Sequence, residues 1–397
     1  MINYILFDDQ KTWKQLLPLT FTRPISEIRI GILKIKEKWD QFLNSDCSYL
    51  TEVYLRDKFK FISGADNIFI NSALLPDLEL KDNIISLKNN QALYKDSMLL
   101  AVRLEKEKAL SFNADLSQGC EKRQWAKDIL SISFPWDIFG INEKAIIIDF
   151  ELITKGRKSV PLSKTNNVIR AENIFMETGA SVEFATLNAS KGPIYIAKNA
   201  EIMEGSLVRG PFALGEGSVL KLGAKIYGAT TVGPHSKMGG ELNNSVIFGY
   251  SNKAHDGFLG NSVLGEWCNI GADSNNSNLK NNYAEVKMWS YIKEGFIPTG
   301  LQFCGLIMGD HSKCGINTMF NTGTVVGVSA NIFGAGYPRN FIPSFSWGGA
   351  SGLTVFSLNK AFEVAERVMS RRHIPFDEKE MKILENVFNN TIAYRHF

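Results

Sequence analysis

Cysteine is scarce in this chain and poorly placed for cross-linking. The five cysteines, Cys47, Cys120, Cys268, Cys304 and Cys314, form no C-x-x-C pair, so neither a disulfide framework nor a metal knuckle follows from their spacing, and no metal site is expected. Long apolar runs are missing too: no stretch approaches the roughly 18 uninterrupted apolar residues of a membrane-spanning helix. Charge of one sign is not in excess. Lys plus Arg is 44 against 41 Asp plus Glu, a net +3, which lacks the basic field that nucleic acid selects. The strand-like run Asn3-Tyr4-Ile5-Leu6-Phe7 ends in Asp8-Asp9, without the basic start or small-residue cleavage site of a secretion signal. These absences lead to the expectation of a soluble cytoplasmic protein with no nucleic-acid partner and no membrane insertion. At 397 residues and 44% hydrophobic, the chain has material for a large core or for two domains.

What is present is a period of six. Ile196, Ile202, Val208, Leu214, Leu220, Ile226, Val232 and Met238 stand in unbroken register. Two places before most of them is a small residue: Ala200, Ser206, Ser218, Ala224, Thr230 and Ser236, with Phe212 the exception. The register returns as Phe258, Leu264 and Ile270, and again as Met308, Cys314, Phe320, Val326 and Ile332. Six matches neither the 3.6 of a helix nor the alternation of a half-buried strand. It matches a parallel β-helix in which a hexad makes one short strand and one corner, and three hexads close a triangular coil stacked about 4.8 Å from the next. The large column then fills the bore, while small residues and glycines fit the corners.

Before the repeat the texture changes. Ile5-Leu6-Phe7, Asn67 to Ile70 and Met98 to Val102 read as strands and Leu33 to Phe42 as a helix, an alternation that predicts an α/β domain over 1–140. Ile146-Ile147-Ile148, Val168-Ile169 and Ile174 read as irregular early coils, so the β-helix is expected over 141–350. Its hexads fail across an Asn-rich loop insertion at 275–305, the kind of loop that often carries binding. Residues 351–397 read as a C-terminal helical segment, with helices at Leu358 to Met369 and within Phe376 to Phe397, bracing an otherwise open strand edge.

The stretches Gly239-Gly240-Glu241, Asn252-Lys253-Ala254-His255-Asp256-Gly257-Phe258, Cys268-Asn269-Ile270-Gly271-Ala272 and Asn278 resemble the acetyltransferase half of the bifunctional N-acetylglucosamine-1-phosphate uridylyltransferase/glucosamine-1-phosphate acetyltransferase family. The resemblance covers about residues 195–340. It implies a left-handed coil, a homotrimer with sites shared between chains, and acetyl-CoA lying near Phe333-Gly334-Ala335-Gly336, so that Ala335 and Gly336 are cofactor-binding candidates. It also implies His255 as the catalytic residue, with Asn269 and Asn278 hydrogen-bonding sugar or acyl donor; the neighbours Lys253 and Asp256 are candidates to position an anionic substrate or orient the ring, and Lys280 is a further substrate-binding candidate. The chemistry is coherent, because acyl transfer from a thioester needs a base of near-neutral pKa to take the nucleophile's proton. His235 and His311, at corners within intact hexads, read as structural or exposed. The chain also departs from the family: Phe258 and Leu279 replace tyrosines, Lys280 and Lys287 are displaced relative to the loop lysine, and Gly215 replaces an arginine, leaving Arg209 or Lys221 for a phosphate.

The first domain resembles sugar nucleotidyltransferases in Leu17-Pro18-Leu19-Thr20 and Arg23-Pro24. That family follows its first strand with Gly-x-Gly-Thr-Arg, whose amides cradle a triphosphate, whereas here Phe7-Asp8-Asp9-Gln10 stands in its place and no glycine precedes Gly31. Asn71-Ser72-Ala73 stands where the family has a metal-binding Gly-Asp pair. Asp8, Asp9 and Arg23 are the nucleotide-binding candidates, and Mg²⁺ is expected only if this domain is active. The function expected is a sugar acetyltransferase of the hexapeptide-repeat class that uses acetyl-CoA, fused to a shortened, diverged nucleotidyltransferase domain. An active bifunctional enzyme and a non-catalytic trimeric scaffold or sensor stand as alternatives.

Overall fold

The first strand, Ile2–Phe7 (β1), is buried along most of its length, as a strand covered on both faces must be. The structure is a computed structural model describing residues 2–112 and 119–397, and it divides into two units. One comprises Met1–Leu16, Arg23–Ile28 and Leu33–Phe134; the other comprises Leu17–Thr22, Arg29–Ile32 and Pro135–Phe397.

In the first unit β1 is joined by Ser48–Leu50 (β2), Asp66–Asn71 (β3), Gln91–Lys95 (β4), Met98–Glu105 (β5) and Glu121–Gln124 (β6). Among the described residues they form one sheet in the order β2-β1-β3-β5-β4-β6. β1 pairs in parallel with β2 on one side and β3 on the other, so the chain reverses direction of travel across the sheet at β1. Ile5, Phe7, Phe69 and Val102 pack as one apolar cluster. Helices Gln10–Gln15 (α1), Ile35–Leu43 (α2), Leu78–Ile85 (α3) and Lys106–Leu110 (α4) complete the α/β unit. The indole of Trp39, on α2, is fully buried and donates to the Leu74 carbonyl at 2.9 Å.

The second unit is a parallel β-solenoid. Its coils begin at Asn167 and stack into three flat faces: a first from Asn167–Ile169 to Phe258–Gly260, a second from Ile174–Met176 to Phe341–Ile342, and a third from Ser181–Val182 to Gly352–Val355. Every large residue of the longest hexad run, Ile196 through Met238, lies in the apolar interior. The small column does more than fit corners. Ser218 Oγ donates to the Gly233 carbonyl at 2.8 Å and accepts from the Ser236 amide at 3.0 Å, and Ser251 and Ser312 repeat this with Gly265 and Gly327 at 2.9 and 2.6 Å. Each hydroxyl therefore satisfies backbone groups that the corner leaves unpaired.

The structure corrects the sequence reading at three places. Ile146 to Ile148 belong to a helix, Asn142–Thr154 (α6), which follows Pro135–Gly140 (α5), so the solenoid begins later than residue 141. Phe258 is only partly buried and Leu259 points inward instead, because the coils after Met238 are shorter than three hexads and bring in Leu242 and Ile247. The segments 17–22 and 29–32 belong with the solenoid rather than with the α/β unit. The insertion leaves after Asn275–Asn276, carries an antiparallel hairpin of Lys287–Ser290 and Gly295–Pro298, and returns near Leu306.

Within the second unit, α5 and α6 lie against the second face. Asn142 is fully buried; its amide donates to the Ala229 carbonyl at 2.9 Å and accepts from the Gly31 amide at 2.7 Å. Gly31 has φ +76°, and a Cβ there would lie 2.5 Å from Asp149 Oδ2 and 2.8 Å from the Ala145 carbonyl. After the solenoid come helices Leu358–Ser370 (α7) and Glu378–Asn390 (α8). None of the described helices is long and apolar enough to cross a membrane. Gly31→Ala is expected to lower stability by at least about 2 kcal/mol through left-handed strain and steric conflict; an unchanged urea midpoint would contradict this packing.

Candidate functional site

The corner that turns from the third face to the first is built on backbone stacking. Its successive coils carry Gly239-Gly240, then Ala254-His255-Asp256-Gly257, then Gly271-Ala272-Asp273-Ser274. The Asp273 amide donates to the Asp256 carbonyl at 3.1 Å, and a Cβ on Gly240 would meet the His255 carbonyl at 2.9 Å. Small residues below let His255 and Asp256 project, and both are exposed.

Lys253, two residues earlier, corrects the sequence reading. It stands in the inward column between Met238 and Ile270, is only 1% exposed, and so does not reach a substrate. Its ammonium donates to the Gly239 carbonyl at 3.0 Å and to the His255 carbonyl at 2.9 Å. Burial pushes its pKa down to about 8, with Asp256, Asp273 and Cys314 pulling weakly the other way. A lysine in an aliphatic column is costly to keep charged. What it does here is fix the backbone of His255.

A cleft of about 460 Å³ runs across the third face beside this corner, and Ala254, the residue before His255, lines it. Its floor is the outward column Lys237, Asn252, Asn269 and Lys313, in register coil upon coil. Asn269 thus lies on the cleft floor. One wall is the end of α7, with Val368, Arg371 and Arg372; the other carries Tyr250 and Trp267. His235, Tyr250, Trp267 and His311 stand at successive corners with φ between +53° and +62°. Their rings stack with centroids 5.2, 4.3 and 6.3 Å apart. Bulky residues are strained at such angles, and each stacked pair returns about 0.5–1.5 kcal/mol.

The remaining candidates are dispersed. Asn278 donates to Asn261 Oδ1 at 2.8 Å, at the corner where the insertion departs. Lys280 donates to the Glu285 carbonyl at 2.7 Å and lines a separate cleft of about 670 Å³ with Lys287, Trp289, Phe296 and Arg339. Neither is brought beside the cleft that Asn269 lines. Ala335 and Gly336 are exposed, in the loop that follows Asn331–Ile332 on the third face. That strand is three ladder steps beyond Asn252–Lys253, on the order of 14 Å along the solenoid axis. Sequence reading missed Tyr250, Trp267, Lys237, Lys313, Arg371 and Arg372. The first four were recoverable, since each lies one place before or after a small-column residue once the coil register is set.

In the first unit a cleft of about 650 Å³ opens at the carboxyl ends of β1 and β3, lined by Phe7, Asp9, Thr12, Asn71, Tyr94 and Lys122 among others. That is where ligands bind in open α/β sheets, at the strand where the order reverses. The residues meant for a nucleotide are otherwise engaged. Asp8 accepts from the Ile25 amide at 3.1 Å and from Thr51 Oγ1 at 2.6 Å, and burial lifts its carboxyl to about 7. Asp9 accepts from the Thr12 amide and hydroxyl, both at 2.8 Å, so a carboxylate already caps the α1 terminus where a phosphate loop would be. Arg23 is only 4% exposed and does not line the cleft. Asn71 is held by the Leu99 carbonyl and the Ala73 amide. Mg²⁺ needs free carboxylates, and no group of three or more His, Cys, Asp or Glu that could hold a metal occurs among the described residues. These residues do not fit a Mg²⁺ site, and no step through the ion follows.

Parts of the chain are similar in sequence to known proteins. Residues 4–158 match the family model described as sugar nucleotidyl transferase. The bifunctional sugar-1-phosphate nucleotidylyltransferase/acetyltransferase of Sulfurisphaera tokodaii is 27% identical over 207 residues, 51% of this chain and 44% of that protein. The chain therefore spans less than half the length of the curated relative it matches. These two matches bear out the resemblance read from the sequence. Among solved structures, UDP-N-acetylglucosamine acyltransferases are similar at low identity. The Bacteroides fragilis protein is 13% identical with a TM-score of 0.34, covering 58% of this chain and 97% of its own. The Arabidopsis protein is 17% identical with a TM-score of 0.25, covering 60% and 85%. Scores this low carry no argument about function.

Lys253 yields a pH test. The unfolded chain keeps this proton up to the ordinary lysine value of 10.5, whereas the folded chain loses it near 8. Between those values the unfolded state binds more protons, so folding stability rises with pH. Lys253→Met is expected to remove that rise, on the order of 3 kcal/mol, from the difference between native and variant urea midpoints at pH 7.5 and 10. A difference that does not change with pH would mean the ammonium is not buried.

Proposed function

We propose that the second unit transfers an acyl group from a thioester of the acetyl-CoA kind to an amine or hydroxyl of a sugar, sugar phosphate or nucleotide sugar. The first unit is a diverged nucleotidyltransferase domain. The observation that carries this reading is His255: an exposed imidazole at a stacked corner, its carbonyl held by Lys253, next in the chain to Ala254, which lines the cleft floored in part by Asn269.

The chemistry is a balanced acyl transfer. The acceptor's nitrogen or oxygen attacks the thioester carbonyl carbon as His255 takes its proton. The tetrahedral intermediate collapses, the carbon–sulfur bond breaks, and the imidazolium returns the proton to the departing thiolate. Asp256, the next residue, is exposed at the same corner and is a polar group available to an acceptor. Asn269 is the polar group on the cleft floor suited to orient acceptor or donor by hydrogen bonds. The resemblance supports a donor running along the corner column toward Ala335 and Gly336, and a homotrimer in the cytoplasm whose chains share the site.

His255→Ala is expected to lower thiol release from acetyl-CoA by at least about 10²-fold, the usual worth of a positioned base, with the circular-dichroism spectrum unchanged. Turnover equal to the native protein would remove His255 from the mechanism.

A second reading, retained nucleotidyl transfer in the first unit, is favoured by the cleft at the reversal strand. The carboxylate-capped α1 and the committed Asp8 weigh against it. No pyrophosphate release is expected from any of the four nucleoside triphosphates with Mg²⁺ and a panel of sugar 1-phosphates; saturable release with any pair would overturn this.

A further inference from the structure

The cleft on the third face is walled by positive charge. Lys237 and Lys313 rise from its floor and Arg371 and Arg372 come from the end of α7, while no carboxylate lines it. Among the described residues none of the four is in an ion pair. Arg372 donates one bond, to the His235 carbonyl at 2.9 Å, which ties the end of α7 to the aromatic corner. Lys313 donates to the His311 carbonyl at 2.8 Å.

From this arrangement we infer that the cleft binds a ligand carrying a diphosphate, its oxygens taken by Arg371 and Arg372 on one side and by Lys237 and Lys313 on the other. Two guanidinium forks facing two ammonium groups suit phosphate oxygens, which guanidinium recognises in bidentate fashion. Solvated surface lysines are the plain alternative, and Lys313 argues against it. Burial lowers its pKa to about 8, and an arriving anion favours its charged form again. Tyr250 and Trp267, stacked with centroids 4.3 Å apart, form the opposite wall. The four cations come from the floor strands and from a helix more than fifty residues further along the chain. The clamp therefore exists only when α7 is docked on the solenoid.

The inference rests on the acyl-transfer reading for its biological sense, since Ala254, the residue before His255, lines the cleft. Two sources carry a diphosphate to such a place: the acyl donor, through coenzyme A, or the acceptor, through a nucleotide sugar. Titration calorimetry on the full chain with inorganic pyrophosphate, coenzyme A and uridine diphosphate distinguishes them. Arg371→Ala and Lys237→Ala are each expected to weaken pyrophosphate binding at least tenfold. Arg371→Lys should weaken it less, because the charge stays and only the fork is lost. The tighter of coenzyme A and uridine diphosphate names the source. Equal dissociation constants in native and variant proteins, or no pyrophosphate binding to the native chain, would overturn the clamp. His255→Ala should leave this binding intact while thiol release falls. Loss of thiol release in His255→Ala with no effect of the Arg371 and Lys237 variants on binding would leave acyl transfer standing and refute the clamp. Weakened binding in those variants, with no thiol release from acetyl-CoA with any sugar acceptor, would do the reverse.

Discussion

The second unit depends on one repeated interaction, the parallel hydrogen bonds by which each coil hangs on the next. The Gly215 amide donates to the Val232 carbonyl, Lys221 to Met238, Gly239 to Lys253 and Gly271 to Cys314. Because the bonds run between coils, each residue's position along the axis is set by its place in the coil rather than by its local propensity. Outward residues one coil apart then form straight columns. The cleft floor is such a column, the aromatic corner is another, and the corner carrying His255 is a third. The ladder is rigid, so a side chain on it is held in place before any ligand arrives.

Lys253 shows how a local violation of the pattern becomes a device. The bore wants an aliphatic side chain at this position, and every other coil of the regular run supplies one. The ammonium found there reaches two carbonyls at the corner, one of them that of His255. The energetic penalty of burying it is recovered only in part by those bonds. The residue trades stability for a fixed backbone at the point where the chemistry is proposed, which is where such exceptions are expected. The first unit shows the opposite tendency. Its carboxylates have been turned inward to close its own structure, with Asp8 fastening the end of β1 and Asp9 capping α1.

The solenoid was legible because its period is global: one column of aliphatics and one of small residues repeat over many coils, and each coil repeats the same physical demand. The same regularity misled at Phe258, where shortened coils shift the register by one and only the contacts reveal it. Ile146 to Ile148 failed for a different reason. A short run of β-branched residues fits a strand as well as a buried helix, and the packing of α6 on the second face decided the matter. His255 and Asn269 were singled out through their motif, and the structure puts the one exposed at a corner and the other on the cleft floor. Lys253 was misassigned because a lysine in a sequence looks solvent-exposed, while in a coil its orientation is fixed by its neighbours. Arg371 and Arg372 carried no sequence signal, since nothing in a helix end announces the strand against which it docks.

The most direct measurement is the position of a bound thioester in a crystal of the full chain with acetyl-CoA. The account predicts the thioester carbonyl carbon within reach of an acceptor whose reacting atom lies about 3 Å from the His255 ring, the separation that proton transfer requires. A thioester seated at another corner or on another face, with His255 left in solvent, would contradict it.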